Sequence, residues 1–233
     1  MTIASQTQQI VDQAITSRRS VRAFLSTPVD KSDVEQILAV ASRAPSGTNT
    51  QPWKAYVLAG QPLQQMTAEI VDAFLNPAPD ASYEEEYAYY PTEWSSPYKE
   101  RRRKVGLDLY GLLGLSKDDR AGMKAQHARN FKFFDAPIGL IFSIDRTMGV
   151  GSWLDFGCFL QNVMVAARAR ELDTCPQAAF NQFHQIIRRH TAMPDHEIVM
   201  CGMALGHADP NAIENTLVTE RAPVDSFTTF IGV

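Results

Sequence analysis

The run Ile138-Gly139-Leu140-Ile141-Phe142-Ser143-Ile144 leaves almost no polar face. A strand with one wet side alternates apolar and polar residues. This one does not, so residues 137–145 read as a strand covered on both faces. Residues 152–172 supply a partner of matching character. Trp153, Phe156, Phe159, Leu160, Val163, Met164 and Ala167 make that helix apolar round much of its circumference, as a central buried helix would be. Around these, Ile10, Val11, Ala14 and Ile15 mark a helix over 8–17. Val34, Ile37, Leu38 and Ala41 mark another, capped by Asp30 or Ser32 and stopped by Pro45. Further helices are expected near 62–75 and 182–190, and strands at 54–59 and 197–205. At 233 residues the chain fits one domain with few strands and many helices.

Charge excludes several classes. A net charge of −4 and a pI near 5.7 give no basic face for nucleic acid. The one basic run, Arg101-Arg102-Arg103-Lys104, shares a segment with Val105, Leu109 and Leu112 at helical spacing and reads as a solvated helix face. No apolar run reaches membrane-spanning length, and Met1 to Gln9 is polar without a signal-peptide core, so a cytoplasmic protein is expected. Three cysteines, Cys158, Cys175 and Cys201, are too few for a disulfide framework and sit in apolar settings. His184, His190 and His196 recur every six residues, which does not align imidazoles on one helical face, so no metal site is expected. Neither a G-x-G-x-x-G nor a G-x-x-x-x-G-K-[ST] motif is present.

Two segments carry chemistry. Ser17-Arg18-Arg19-Ser20-Val21-Arg22 packs three guanidiniums and two hydroxyls into six residues, the donor set that a phosphate accepts. Ala44-Pro45-Ser46-Gly47-Thr48-Asn49-Thr50-Gln51-Pro52-Trp53 is a loop of small and amide residues between a helix and a strand. Gly47 there permits close backbone approach to a ligand.

This pair, in this order, resembles the start of the FMN-dependent nitroreductase family. The resemblance continues in Phe134-Asp135-Ala136-Pro137-Ile138-Gly139-Leu140-Ile141-Phe142, in Leu172-Asp173-Thr174-Cys175-Pro176-Gln177-Ala178-Ala179-Phe180, and in Thr219-Glu220-Arg221-Ala222-Pro223. It implies an α+β three-layer sandwich with a mixed central sheet flanked by helices, and an intertwined homodimer. It further implies that Arg18, Arg19, Ser20, Arg22 and Arg221 hold the FMN phosphate, ribityl chain and ring edge. Pro45, Ser46, Gly47 and Asn49 would approach the ring from the partner subunit, as would Pro176, Gln177, Ala178 and Ala179. Asn130 and Lys132 would meet the pyrimidine edge. Thr219 stands where many relatives carry lysine, and Gly157 where some carry glutamine.

Residues 76–130 stand apart, dense in acids and rings: Tyr83, Glu84, Glu85, Glu86, Tyr87, Tyr89, Tyr90, Trp94 and Tyr98. Such an excursion is either a lid or binding surface, or a solvated insertion whose rings pack on the host domain. The resemblance implies reduction of nitroaromatic compounds, with quinones as alternates, by NADH or NADPH in two half-reactions at one site, with no catalytic side chain required. The same scaffold serves reductive dehalogenation, enone reduction and flavin destruction, and a non-catalytic FMN-binding protein would share these residues.

Overall fold

The computed structural model describes residues 3–80 and 82–232. Met1, where the polar N-terminal reading begins, Thr2, Val233 and the excursion's Ala81 lie outside them. Four strands, β1 (Trp53–Ala59), β2 (Ile138–Asp145), β3 (Asp173–Gln177) and β4 (Glu197–Gly206), form one sheet in the order β1-β2-β4-β3. All three pairings are antiparallel. A mixed sheet was expected; its parallel component is confined to one bridge, Ser20 with Thr174.

β2 is covered on both faces, as its composition demands. Ile141 points to a layer formed by α3 (Gly60–Leu75), α7 (His184–Thr191) and the short-turn segment Arg129–Asp135. Leu140, Phe142 and Ile144 point to a layer formed by α2 (Lys31–Ala41) and α6 (Val150–Arg168). Three layers result, helix on sheet on helix.

The first helix, α1 (Ile3–Ser17), buries nothing: Ile10, Val11 and Ile15 are exposed. The expectation of a central buried helix at α6 holds for one side of it. Phe156, Phe159, Val163, Ala166 and Ala167 face the core, while Leu154 is 74% exposed. Within the excursion lie two helices, α4 (Tyr98–Leu112) and α5 (Arg120–Ala128). Arg101 to Lys104 lie exposed on α4, the solvated face that the sequence suggested. The rings of the excursion fall into two groups. Tyr83 packs on Phe183 at 5.2 Å between centroids, whereas Tyr89, Tyr90 and Trp94 form an outer cluster with Arg102 stacked on the last two.

Candidate active site

Two cavities follow one another along the groove between α6 and the edge strand β3. The first, about 810 Å³, is lined by Arg18, Arg19, Ser20, Arg22 and Arg221, with Arg168, Gln161 and Asp173 from the groove itself. Ser20 is held there because Val21 N–H donates to Thr174 O at 3.1 Å, which zips the arginine segment onto β3. The arginines have distinct duties. Arg19 Nη1 donates to Asn215 O at 2.6 Å and Arg22 N–H to Asn215 Oδ1 at 2.8 Å, tying the segment to the C-terminal arm. Arg168 pairs with Asp173 at 2.9 Å. Arg18 has neither hydrogen bond nor ion pair among the described residues. Partial burial pulls its guanidinium below its ordinary pKa, and Arg221 beside it adds to the drop. A cation held without a counter-ion next to a second cation is a site built for an anion.

The second cavity, about 390 Å³, is apolar. Trp153, Phe156 and Leu160 of α6 form one wall, and Pro176, Gln177 and Ala178 at the end of β3 form another. Tyr87, Ala88 and Tyr89 of the excursion form a third. The floor is Met200 and Cys201, two successive residues of one strand that face the same cavity. A bulge permits this. Phe142 pairs with Cys201 and Ser143 with Val199, so Met200 is the extra residue. Its carbonyl accepts the Tyr87 hydroxyl. The Tyr87 hydroxyl is raised above its usual pKa, chiefly by burial, so Tyr87 offers the cavity a ring surface rather than a proton. Burial also pushes the Cys175 and Cys201 thiols up, to about 11 and about 12, so neither is a thiolate at neutral pH.

Gln177 joins the apolar cavity to the excursion: its Nε2 donates to Asn130 O, and Asn130 itself lines a smaller cavity beside Arg22. Gln177 Oε1 is buried with no hydrogen-bond partner, an acceptor left for a donor-bearing ligand.

The remaining expected residues fall elsewhere. Lys132 is not brought to the groove. It lines a separate cavity with Gly60, Leu63, Gln64 and Asp135. Pro176 to Ala179, assigned by the resemblance to the partner's side, are joined to Ser20 within one chain through Thr174. The loop of Pro45, Ser46, Gly47 and Asn49 sits beside α6, away from both cavities. Gly47 N–H donates to Asp155 Oδ2 and Gln51 N–H to Ser46 Oγ, each at 3.0 Å. Thr48, Asn49 and Gln51 all have positive φ, a strained loop of the kind found at ligand sites. At Gly157 a β-carbon would meet nothing within 4 Å. Sequence reasoning missed Arg168, Gln161 and the Met200 bulge. A regular strand pattern conceals a bulge, and Arg168 and Gln161 fell inside an apolar helix.

Comparison with known proteins identifies the family. A family model described as the nitroreductase family matches residues 15–207. The chain is 42% identical over 221 residues to a 4-nitrobenzoate reductase of Pseudomonas putida, covering 95% of each. It is 38% identical to a nitrobenzene nitroreductase of Ectopseudomonas oleovorans, covering 97% of this chain and 98% of the other. Among solved structures, the FMN and NADPH-dependent nitroreductase NfnB from Sphigopyxis sp. strain HMH superposes with a TM-score of 0.91 at 36% identity, covering 96% of this chain and 99% of that one. The chain belongs to the nitroreductase family.

Proposed function

We propose that this protein is an FMN-dependent oxidoreductase that reduces nitroaromatic compounds at the expense of NADPH or NADH. The observation that carries this reading is the succession of an arginine-lined cleft and an apolar, ring-walled cavity along one groove. FMN has those two ends in that order. The fit is chemical as well as geometric: Arg18 lacks an anion, and the Gln177 Oε1 acceptor lacks a donor. Bound there, FMN supplies two-electron exchange between a reduced nicotinamide and an acceptor.

The chain's own residues then bind, orient and exclude water. Arg18, Arg22 and Arg221 neutralise the phosphate, with Ser20 as hydroxyl donor, and Arg19 keeps the segment in place through Asn215. Pro176, Ala178 and Ala179 are small enough to bring their backbone close to the ring, and Gln177 offers an amide to its polar edge. Asn130 fixes Gln177. Tyr87, Trp153 and Phe156 give a flat acceptor an aromatic slot free of charged side chains. Residues 76–130 thus frame the acceptor side of a single domain.

A homodimer completes the site. Support comes from the apolar surface that one chain leaves uncovered: Ile10, Val11 and Ile15 on α1, Leu154 on α6, and Phe227, Phe230 and Ile231 near the C-terminus. The Pro45–Asn49 loop would serve the ring of the other subunit. Nitroarenes as acceptors are supported by the names of the relatives at about 40% identity. No helix among the described residues is long and apolar enough to cross a membrane, and the cysteines are free, which supports a reducing cytoplasm. Steady-state consumption of NADPH and NADH with nitrobenzene and with 4-nitrobenzoate tests the proposal. Turnover that requires bound FMN supports it, and its absence with both acceptors discards it.

A further inference from the structure

Outside the groove, several charged side chains gather around one excursion residue. Glu86 carries a side chain that is only 5% exposed. Its carboxylate accepts from Val199 N–H at 2.9 Å and from Arg188 Nη2 at 3.0 Å, and it pairs with Arg146. His184 Nδ1 lies 3.6 Å away. Arg188 is itself anchored, donating to Pro194 O at 2.7 Å and to Glu197 O at the start of β4. Asn181, fully buried, grips the same two residues by their backbone: its Oδ1 accepts from Glu86 N–H and its Nδ2 donates to Tyr87 O, both at 2.9 Å. The next contact along the chain is the Tyr87 hydroxyl on the bulged Met200 carbonyl, with Trp153 edge-on at 4.7 Å.

We infer that Glu86 and Asn181 are positioning residues that lock Tyr87 into a fixed wall of the apolar cavity. The acceptor therefore meets a preformed aromatic surface rather than a lid that closes over it. This rests on the nitroarene-reductase reading for its substrate and on the geometry alone for the wall. A buried carboxylate with several cationic and amide partners loses its place when its charge is removed. A wall misplaced by a fraction of an ångström weakens aromatic contact with the acceptor while the arginine cleft that anchors the cofactor phosphate stays as it is.

The test compares the FMN-loaded wild type with Glu86→Gln and Asn181→Ala, which break the clamp from opposite sides. Three readouts are taken: KM and kcat for nitrobenzene, the rate with ferricyanide, which accepts electrons without entering an aromatic slot, and amide hydrogen exchange across the chain. The expected result is a KM for nitrobenzene raised on the order of tenfold, with kcat and the ferricyanide rate within about twofold of wild type. Exchange should accelerate at 86–89 while α6 and β2 keep their protection. Unchanged exchange at 86–89, or nitrobenzene and ferricyanide rates falling together, overturns the inference. If wild type reduces no nitroarene, the functional reading fails and exchange at 86–89 still decides the clamp. If Glu86→Gln does not fold, Asn181→Ala decides it.

Discussion

Asp155 on α6 accepts the backbone N–H of Gly47 through its Oδ2 at 3.0 Å. That bond ties the loop after α2 to the helix that walls both cavities. Three residues of the loop hold positive φ, so its shape depends on external ties of this kind. Asp155→Ala is expected to weaken FMN binding about tenfold, the loss of one hydrogen bond to a charged group. Asp155→Asn, which keeps an acceptor, should stay near wild type. Fluorescence titration of FMN into cofactor-stripped protein checks both.

Arg18 is the cleft guanidinium with no partner among the described residues, whereas Arg19 is bonded to Asn215 O. Arg18→Gln should therefore act on the ligand and Arg19→Gln on the fold. The expected loss for Arg18→Gln is about ten- to a hundredfold in FMN affinity, with riboflavin affinity unchanged because riboflavin lacks the phosphate. Parallel titrations with the two flavins measure it. Arg19→Gln should lower the melting temperature instead.

Gly202 on β4 lies under the ring of Phe180, and a β-carbon there would stand 2.4 Å from Cδ2. Phe180 stacks on Phe133 at 4.4 Å between centroids and is fully buried, so it has nowhere to go. Gly202→Ala is expected to cost about 1–3 kcal/mol by overpacking. Urea denaturation shows this as a lower midpoint with an unchanged slope.

Stability should fall in two stages on the acid side. Burial pulls His184 and His127 below their usual 6.5, with Glu86 opposing the shift at His184. Burial alone would raise Glu86 and Glu197 above 4.5, but their hydrogen bonds and cations outweigh it and hold both below. A folded pKa below the unfolded one means stability that is complete above the unfolded value and drains away as pH falls. The melting temperature should decline as pH drops below about 6.5 and more steeply below about 4.5. A melting temperature that rises between pH 7 and 5 contradicts this.

The parts of the fold that the sequence revealed are those with one unambiguous period. β2 was legible because both its faces are apolar, and α2 and α3 because each carries one stripe. β3 was not. It spans five residues, Asp173-Thr174-Cys175-Pro176-Gln177, and a proline inside it argues against a strand unless that strand lies at a sheet edge, as it does here. Lys132, two residues after Asn130, lines a different cavity, a divergence that no local pattern announces. Arg18, Arg19, Ser20, Arg22 and Arg221, grouped from the sequence, line one cleft. What no local pattern could show was the long-range bridge from Ser20 to Thr174 that lays this cleft end to end with the apolar cavity.

The visible spectrum of the purified protein, followed through anaerobic addition of NADPH and then nitrobenzene, tests the account most directly. It predicts one FMN per chain, with absorption that bleaches on the first addition and returns on the second. Protein that takes up no FMN, or whose bound FMN keeps its colour with both NADPH and NADH, contradicts it.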